Sequence, residues 1–483
     1  MVRLRRLPIL LFTLFSTLLV AQDQGTGLIF DEAAYRAVPY KAPVTAETYA
    51  NLPTSANLEK YTPTPGDQGP FSTCTAFAVG YHLRTILYGI EKQITYRDKL
   101  DQHIFSPTFV YERIKSEDDL DCMQGSSPVA ALELLRTVGI PPLSTVPYQC
   151  GSAIGTEALL EATEYPIIDY QILYGTNLAD NDPVKVQSVK KSLSEGSPVV
   201  IGFKVHKSFY NSGPLWRELT SDAGPTGQHG LHAMVVVGYD DNKFGGAMRV
   251  MNSWSENWAD KGFVWIPYAD FGRNCIMAMQ AYGKRPKRVT PIPGPDGVTP
   301  ELAPLLKGKI IFQERDGTPM PAILSNEDAS DRYVGYRLAR SYASGTRFRF
   351  FITTNTDSYL YAFATDLTGN ITTILPFADN MSPHIGPNST IAFPSERKVV
   401  RMDNQPGTDY LLLLYSEEPL DIEALKESMS ANSGTLSLKI AQSLGNKIVP
   451  DTYIQKAQSQ IAFTVTEKTK GSVVPLMIEI PHH

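Results

Sequence analysis

The sequence is poor in cysteine, in net charge and in long apolar runs, and each shortage excludes a class of protein. Only 4 cysteines occur among 483 residues, with no CxxC pair, which excludes a disulfide-dense scaffold and a zinc site built on such pairs. The formal net charge of −6 provides no basic field, so we expect no nucleic-acid partner. No metal and no organic cofactor are predicted. Hydrophobic residues make up 42% of the chain, enough for packed cores in roughly two or three domains.

The longest apolar run lies at the N-terminus, at residues 7–20. It is 14 residues long, follows three arginines and ends beside the small residue Ala21. A transmembrane helix needs about 20 residues, so a cleaved signal peptide is favoured over an uncleaved anchor. We therefore predict a signal peptide over residues 1–21 and a secreted or periplasmic protein without stable membrane insertion. Association with the cell surface is an alternative location.

A proline-rich stretch divides the rest of the chain. Six prolines lie within residues 284–304, a density that no helix or central strand tolerates, so this stretch is predicted to be a linker. An N-terminal arm at 22–51 and a first domain at 52–283 precede it, and a β-rich accessory domain at 305–483 follows. Predicted elements of that second domain are strands at 347–354, 359–363, 371–375, 411–415 and 461–466, a Gly369–Asn370 hairpin turn, and a short helix at 421–429.

Cys74 stands where an irregular segment meets a helical pattern. The residues before it are rich in glycine and proline, and apolar residues recur at helical spacing after it. A thiol at a helix N-terminus has a lowered pKa, because unpaired N–H groups and the helix dipole favour the thiolate. Gln68 lies six residues upstream, where its amide can turn back toward the sulfur. The alternative for Cys74 alone is a small buried thiol that starts a core helix.

A second cluster begins at His232, on a β-branched strand. A turn rich in Asp and Gly follows, and the chain returns to Asn252, which places the two residues roughly opposite each other in an antiparallel hairpin. An Asn amide in this position fixes the orientation of an imidazole, and Trp254 can shield the bond from water. The alternative for His232 is a satisfied polar residue at a strand end. His229 is a competing candidate, but it lies in a glycine-rich loop without such a partner.

A thiol, an imidazole that deprotonates it and an amide that orients the imidazole form a nucleophilic triad. Cys74, His232 and Asn252 are therefore the predicted catalytic residues, and the Gln68 side chain with the Cys74 backbone N–H would form an oxyanion hole. The motifs Gln68–Gly69 with Cys74-Thr75-Ala76-Phe77, His232–Ala233 and Asn252-Ser253-Trp254 resemble those of papain-like cysteine peptidases, in the same chain order. The resemblance implies an α+β fold in 52–283, with a helical left lobe, a β-barrel-like right lobe and a substrate cleft between them.

The resemblance also implies further site residues. Gly125 is the best match for a glycine whose backbone pairs with an extended substrate. Ser126 would lie beside it, although Ser126 or Ser127 could instead cap the following helix. The remaining substrate-binding residues implied are Leu231, Ala233 and Trp254. Phe71 stands where relatives have a disulfide cysteine, so Cys122 has either another partner or none. Cys150 is the candidate partner, and Cys275 would remain a free thiol.

Two regions depart from the familiar pattern. The arm is too short for the long inhibitory prosegment of many relatives, so the enzyme is either made active or controlled by another part, such as the C-terminal region. That region, with Tyr359 and Tyr361, resembles a β-rich domain found behind bacterial proteases and kinases. An exposed face carrying both tyrosines could bind a glycan or a protein ligand, although such alternation more often marks a half-buried sheet.

These observations predict a secreted bacterial cysteine endopeptidase that hydrolyses protein or peptide substrates through a thioester acyl-enzyme. One alternative is a non-catalytic binding or surface protein that retains the fold, but such a protein has no use for all four of the predicted catalytic groups. A second alternative is a related exopeptidase, transpeptidase or amidase, whose sign would be an obstructed cleft.

Overall fold

The computed structural model describes residues 24–222, 230–284, 303–325, 334–365 and 371–483. The predicted signal peptide, most of the predicted linker, His229 and the Gly369–Asn370 turn lie outside these ranges. The predicted α+β class is confirmed, because helices and a sheet make up the N-terminal domain and a separate, mainly β domain follows it. None of the helices in the described part of the chain is long and apolar enough to cross a membrane.

The helical half of the N-terminal domain is built around the helix that begins at Cys74. It runs as Cys74–Ala76, continues through a π-helical segment at Phe77–Arg84 and ends as Thr85–Lys92, and most of its side chains are buried. A helix buried on nearly every side is typical of a domain centre. The helices of the described N-terminal domain and arm that lie around or beyond it are Glu32–Ala37, Ala46–Ala50, Arg97–Leu100, Pro107–Ile114, Pro128–Thr137, Thr156–Ala162, Pro183–Ser194, Lys207–Tyr210 and Tyr268–Asn274.

The other half is an antiparallel sheet. Its strands, in spatial order, are Asp169–Ile172, Cys275–Tyr282, Val199–Val205, Gly230–Asp240, Ala247–Met251 and Phe263–Pro267, and Ser55–Asn57 pairs with the fourth of these. The central strands are buried on both faces, which explains why they are continuous apolar runs rather than alternating ones.

The hairpin that carries His232 and Asn252 differs in register from the prediction. Val235 pairs with Met251 and Val236 with Val250, after which a bulge shifts the register before Gly238. In the register at Val235, His232 lies two positions away from direct opposition to Asn252, because the turn is not symmetric about the predicted midpoint. The two side chains still meet, by a diagonal contact across the end of the ladder.

The accessory domain consists of two sheets packed around a core of aromatic and aliphatic side chains. One sheet contains Ala322–Leu324, Val334–Leu338, Val473–His482, Gly407–Ser416, Ser358–Thr365, Thr372–Leu375 and His384–Ile385. The other contains Ser389–Phe393, Arg347–Thr354, Leu306–Glu314, Ile461–Val465, Ile454–Lys456, Val400–Arg401 and Pro319–Met320.

Two helices, Ile422–Ala431 and Leu436–Leu444, cover the outer face of the first accessory sheet. Tyr359 and Tyr361 lie beneath them and are buried. The interpretation of these two tyrosines as an exposed ligand-binding face is therefore wrong, because apolar side chains of the helices occupy that face.

The N-terminal arm joins the two domains. Tyr40 pairs on one side with Ile172, at the edge of the N-terminal sheet, and on the other side with Met381 of the accessory domain. The Tyr40 N–H donates to the Asn380 carbonyl at 2.7 Å, and the Thr45 N–H donates to the Thr390 carbonyl at 2.9 Å. The arm is thus an ordered structural element from Gln24 onward rather than a free extension.

Candidate active site

Cys74 and His232 lie side by side at the junction of the helical half and the sheet. Both side chains are fully buried. The backbone N–H of Ala233, the residue after His232, donates to the Cys74 sulfur at 3.4 Å, which brings the strand into direct contact with the helix N-terminus. Thr73 stands at the cap position of this helix without a side-chain cap bond.

Asn252 orients the imidazole as the sequence predicts. The Nε2 atom of His232 lies 2.7 Å from Oδ1 of Asn252. Because Oδ1 also accepts from the Ser253 N–H at 2.8 Å and an amide oxygen can only accept, Nε2 is assigned the proton. Among the described residues, the buried Nδ1 atom has no hydrogen-bond partner, so it is available to accept a proton. The Trp254 ring lies 4.8 Å from the imidazole, between ring centroids, and covers this pair.

Gln68 is fixed so that its amide N–H groups point toward the site. Its Oε1 atom accepts a bond of 2.6 Å from the Ser253 hydroxyl, and its backbone N–H donates to the Ser253 carbonyl at 2.9 Å. With the oxygen held in this way, Nε2 donates at 3.0 Å to the carbonyl of Gly25 and at 2.8 Å to that of Phe71. Gly25 belongs to the N-terminal arm, so a carbonyl group from elsewhere in the chain already occupies the Gln68 donor.

The arm continues through the cleft along its backbone. Its amides at Gly27 and Leu28 both donate to the Leu231 carbonyl, at 3.2 and 3.1 Å. On the opposite wall, the Ser126 N–H donates to the Gly27 carbonyl at 2.9 Å, and the Ile29 N–H donates to the Ser126 carbonyl at 3.0 Å. Leu28 and Ser126 therefore form a parallel β-bridge. The side chain of Leu28 is itself 5% exposed.

Glycine is required on the arm because the backbones approach so closely. A Cβ added to Gly25 would lie 2.0 Å from the Phe71 carbonyl oxygen, and one added to Gly27 would lie 2.3 Å from that of Ser72. Both distances are far below contact distance, and backbone atoms cannot move aside cheaply. Any larger residue at these two positions is incompatible with this path of the arm.

The predicted substrate-binding residues have different places in this arrangement. Ser126, Leu231 and Trp254 each bond to the arm, Trp254 through Nε1 to the Gly25 carbonyl at 3.2 Å. Gly125 does not pair with the arm at the bridge; it turns with φ +88°, and a Cβ there would lie 2.1 Å from the Gly27 oxygen. Ala233 contacts Cys74.

Ser127 rather than Ser126 caps the following helix, since Ser127 accepts a bond from the Ala130 N–H. The two roles predicted for this segment, backbone pairing and helix capping, therefore belong to different residues. Ser126 uses its backbone to pair with the arm, and Ser127 uses its side chain to begin the helix.

Burial sets the protonation states. It raises the pKa of the Cys74 thiol to about 11, although backbone N–H groups of Ala233 and Gly27 partly counter the effect. It lowers the pKa of His232 to about 4, against the opposing influence of the bond to Asn252. The expected lowering of the thiol pKa is therefore not found with the arm in place, because the absence of water outweighs the helix N-terminus. Both groups are neutral near pH 7.

Cys122 and Cys150 form a disulfide, with Cα atoms 6.0 Å apart, while Cys74 and Cys275 are free and buried. Glu112 approaches both bonded sulfurs, and these three residues make the group closest to a metal-binding cluster in the described part of the chain. The donor set does not fit a metal ion, because sulfurs joined to each other cannot act as thiolate ligands.

Comparison with known proteins assigns this domain. Residues 87–284 match the model of the papain family cysteine protease. The chain contains a papain-family cysteine protease domain. The matched stretch of the protease domain includes His232 and Asn252 and begins after Gln68 and Cys74. Residues 341–419, in the accessory domain, match a domain of unknown function (DUF4384).

Individual relatives are distant. The chain is 23% identical over 211 residues to an uncharacterized peptidase C1-like protein of Acanthamoeba polyphaga mimivirus, covering 42% of this chain and 63% of that protein. It is 29% identical over 83 residues to cathepsin B-like cysteine proteinase 3 of Ostertagia ostertagi, covering 17% and 44%. The chain thus spans less than two thirds of these relatives. Xylellain, a cysteine protease from Xylella fastidiosa, is similar in structure with a TM-score of 0.44 and 23% identity, covering 55% and 98% of the two chains.

The sequence reasoning missed two features of the protease domain. The first is Ser253, which holds the Gln68 amide; its place next to Asn252 was a usable signal. The second is the arm in the cleft. Gly25 and Gly27 have no periodicity or charge that marks them, and their partners are backbone atoms far away in the sequence.

Proposed function

We propose that this protein is an exported bacterial cysteine endopeptidase that hydrolyses peptide bonds of protein substrates through Cys74, His232 and Asn252. The observation that carries the proposal is the bond of 2.7 Å between His232 Nε2 and Asn252 Oδ1. This bond leaves the other ring nitrogen, Nδ1, without a hydrogen-bond partner among the described residues. The strand that carries His232 contacts the Cys74 sulfur through the Ala233 N–H. This is the arrangement that a thiol nucleophile needs from its base.

In the proposed reaction, His232 Nδ1 accepts the thiol proton and the sulfur attacks the scissile carbonyl carbon. The developing oxyanion receives hydrogen bonds from Gln68 Nε2 and the backbone N–H of Cys74. The imidazolium then gives its proton to the leaving amine, which departs and leaves a thioester on Cys74. Water, deprotonated by the same imidazole, hydrolyses the thioester and restores the thiol. Asn252 keeps the ring in position throughout.

The arm has to leave the cleft before a substrate enters. Gly25 occupies the Gln68 donor, Gly27 and Leu28 occupy the Leu231 carbonyl, and Cys74 is fully buried beneath them. The structure therefore describes a closed form in which thiol and imidazole are both neutral. Moving the arm readmits water, which removes the burial that raises the thiol pKa and lowers that of the imidazole. In this proposal the chain's own arm controls access to the cleft.

A variant whose arm cannot occupy the cleft tests the proposal. Gly27→Val has no room for its side chain against the Ser72 carbonyl, so the arm is expected to be displaced while the domains stay folded. An epoxysuccinyl inhibitor should label Cys74 of this variant at least about tenfold faster than in the wild-type chain, as located by mass spectrometry. The same variant should hydrolyse denatured casein at internal bonds.

Two controls make the result decisive. Adding His232→Ala to Gly27→Val should lower hydrolysis by about 10³-fold, because the base is lost. Cys275, the other buried free thiol, should stay unlabelled in all variants. A folded Gly27→Val protein that neither labels at Cys74 nor cleaves casein would contradict the proposal and favour a binding protein. Release of terminal residues alone would indicate an exopeptidase.

A further inference from the structure

Tyr148 lies outside the catalytic motifs, yet its hydroxyl contacts the segment that carries two of them. It donates a hydrogen bond of 2.8 Å to the backbone carbonyl of Gln68 and lies 2.9 Å from the Thr73 hydroxyl, which acts as donor in return. Gln68 supplies the proposed oxyanion donor, and Thr73 directly precedes the proposed nucleophile. One phenol group therefore joins both ends of the loop 68–74.

The Tyr148 ring is held firmly in this place. Its centroid lies 4.8 Å from that of Phe77 and 6.4 Å from that of Phe71, both in edge-on geometry. Such aromatic pairs fix a ring by shape as well as by buried area. Packing against Phe77 of the helix and Phe71 of the loop therefore holds the Tyr148 hydroxyl beside the loop.

A covalent link strengthens the support. Cys150, two residues after Tyr148, is bonded to Cys122, and the Cys122 carbonyl accepts a bond of 2.8 Å from the Ser72 N–H. The loop 68–74 is thus held at Gln68, at Ser72 and at Thr73 by two residues, Cys122 and Tyr148. The Cys122–Cys150 disulfide joins the two segments that carry them. We call this unit the 122–148 brace.

We infer that Tyr148 is a positioning residue for the reaction: through its bonds to Gln68 and Thr73 it fixes the distance between the oxyanion donor and the sulfur. The inference rests on the proposed function of Cys74 and Gln68. Small displacements of such donors are costly, since an oxyanion hole works by geometry that is set before charge develops. Tyr148 thus acts through Gln68 and Thr73.

Tyr148→Phe in the Gly27→Val background tests the role, since it removes one oxygen and keeps the ring. We expect kcat to fall about tenfold with KM nearly unchanged, because the loop matters most when the oxyanion forms. The inhibition constant of a peptide aldehyde, whose adduct places an oxygen at the same donors, should rise by a similar factor. Alkylation of Cys74 by iodoacetamide, which forms no oxyanion, should change less than twofold.

Tyr170→Phe is the matched control. Tyr170 is another tyrosine of the protease domain, and its hydroxyl bonds to Glu133, away from the loop. It should leave kcat and aldehyde affinity unchanged. The Cys122→Ser/Cys150→Ser double variant should reproduce part of the Tyr148→Phe effect on kcat.

The outcomes separate the two proposals. Equal kcat values for Gly27→Val with and without Tyr148→Phe would overturn the positioning role and leave the proposed peptidase intact. Equal losses in kcat, aldehyde binding and alkylation would also overturn it, because they would indicate general loosening of the fold. Absence of activity in the Gly27→Val parent would reject the proposed function itself.

Discussion

The arm binds the rest of the molecule at two places by different means. At residues 24–29 it uses backbone groups and two glycines, and Leu28 is the one large side chain of this stretch that is buried against the cleft. At residues 39–48 it combines backbone bonds to both domains with the buried side chain of Lys41. The helix Glu32–Ala37 lies between, and its Tyr35 hydroxyl donates to the Tyr174 carbonyl at 2.8 Å.

The difference indicates which part moves. A glycine-rich segment buries little apolar area, so its docking is weak and its backbone bonds can be exchanged for bonds to water or to a substrate. A buried ion pair cannot be exchanged in this way, because separating its charges leaves one of them without a partner. We therefore regard residues 24–29 as the mobile closure of the cleft and residues 39–48 as its fixed base.

The strongest effect is expected at the fixed base. Lys41 contacts Glu195 at 2.5 Å and Gln280 at 2.8 Å, and both ionic side chains are almost fully buried. Although burial opposes ionisation of Glu195, Lys41 and Lys191 hold the pKa of that carboxyl below its usual value. Lys41→Ala should lower the free energy of unfolding by about 3–5 kcal/mol in urea titrations, because it leaves the carboxylate undercompensated.

Arg36→Ala is the comparison for Lys41. Arg36 also pairs with a glutamate of its surroundings, Glu32, but its side chain is 61% exposed. Arg36→Ala should lower the free energy of unfolding by less than about 1 kcal/mol. Similar losses of unfolding free energy in Lys41→Ala and Arg36→Ala would show that the buried ion pair of Lys41 holds the arm no better than an exposed one.

A smaller effect is expected at the mobile end. Leu28 packs beside Gly202, where an added Cβ would lie 3.0 Å from Leu28 Cδ1. Leu28→Ala should weaken closure by about 2 kcal/mol and accelerate labelling of Cys74 by an epoxysuccinyl inhibitor about tenfold or more. Ile29→Ala, at a neighbouring side chain that is 47% exposed, should change the rate less than twofold. Equal rates for both variants would show that Leu28 does not hold the arm.

A further effect concerns the pH dependence of stability. The pKa of His232 in the closed form is about 4, below the ordinary value of 6.5, so its contribution to stability is complete above pH 6.5 and is lost as pH falls toward 4. The unfolding free energy of the wild-type chain should fall by about 2 kcal/mol more than that of Gly27→Val over this range, since the open variant exposes the imidazole. If the unfolding free energies of the wild-type chain and of Gly27→Val fall equally with pH in urea titrations, the arm does not close over His232.

The sequence allowed some of these features to be predicted and concealed others, for physical reasons. The predicted strand at Arg347–Thr354 is found with the same bounds, because alternation of buried and half-buried residues is a local signal. The predicted helix at 421–429 is found as Ile422–Ala431, with Asp421 as its cap. The roles of Cys74, His232 and Asn252 remain predictions, but the structure brings the three residues together.

The missed features depend on long-range backbone contacts. A bulge between Val236 and Gly238 changes the register of the hairpin, although Gly238 inside the strand was a usable local signal for it. The pairing of Leu28 with Ser126 joins segments almost a hundred residues apart through N–H and C=O groups, which every residue has. The lowered thiol pKa was expected from the helix alone, and burial of the sulfur reverses it.

Glu195 has a consequence for how this architecture can be recombined. Its carboxylate contacts Lys41 of the arm and Lys191 of the protease domain, and Lys191 also donates to the Pro387 carbonyl at 2.7 Å, beyond the proline-rich linker. Glu195 thus pairs directly with the arm and with the protease domain, and it is linked to the accessory domain through Lys191. A chimaera cut at the linker would separate Lys191 from this carbonyl. A replacement domain would therefore have to offer a carbonyl group at the same place, which any residue can supply through its backbone, while Lys41, Lys191 and Glu195 would have to be kept together.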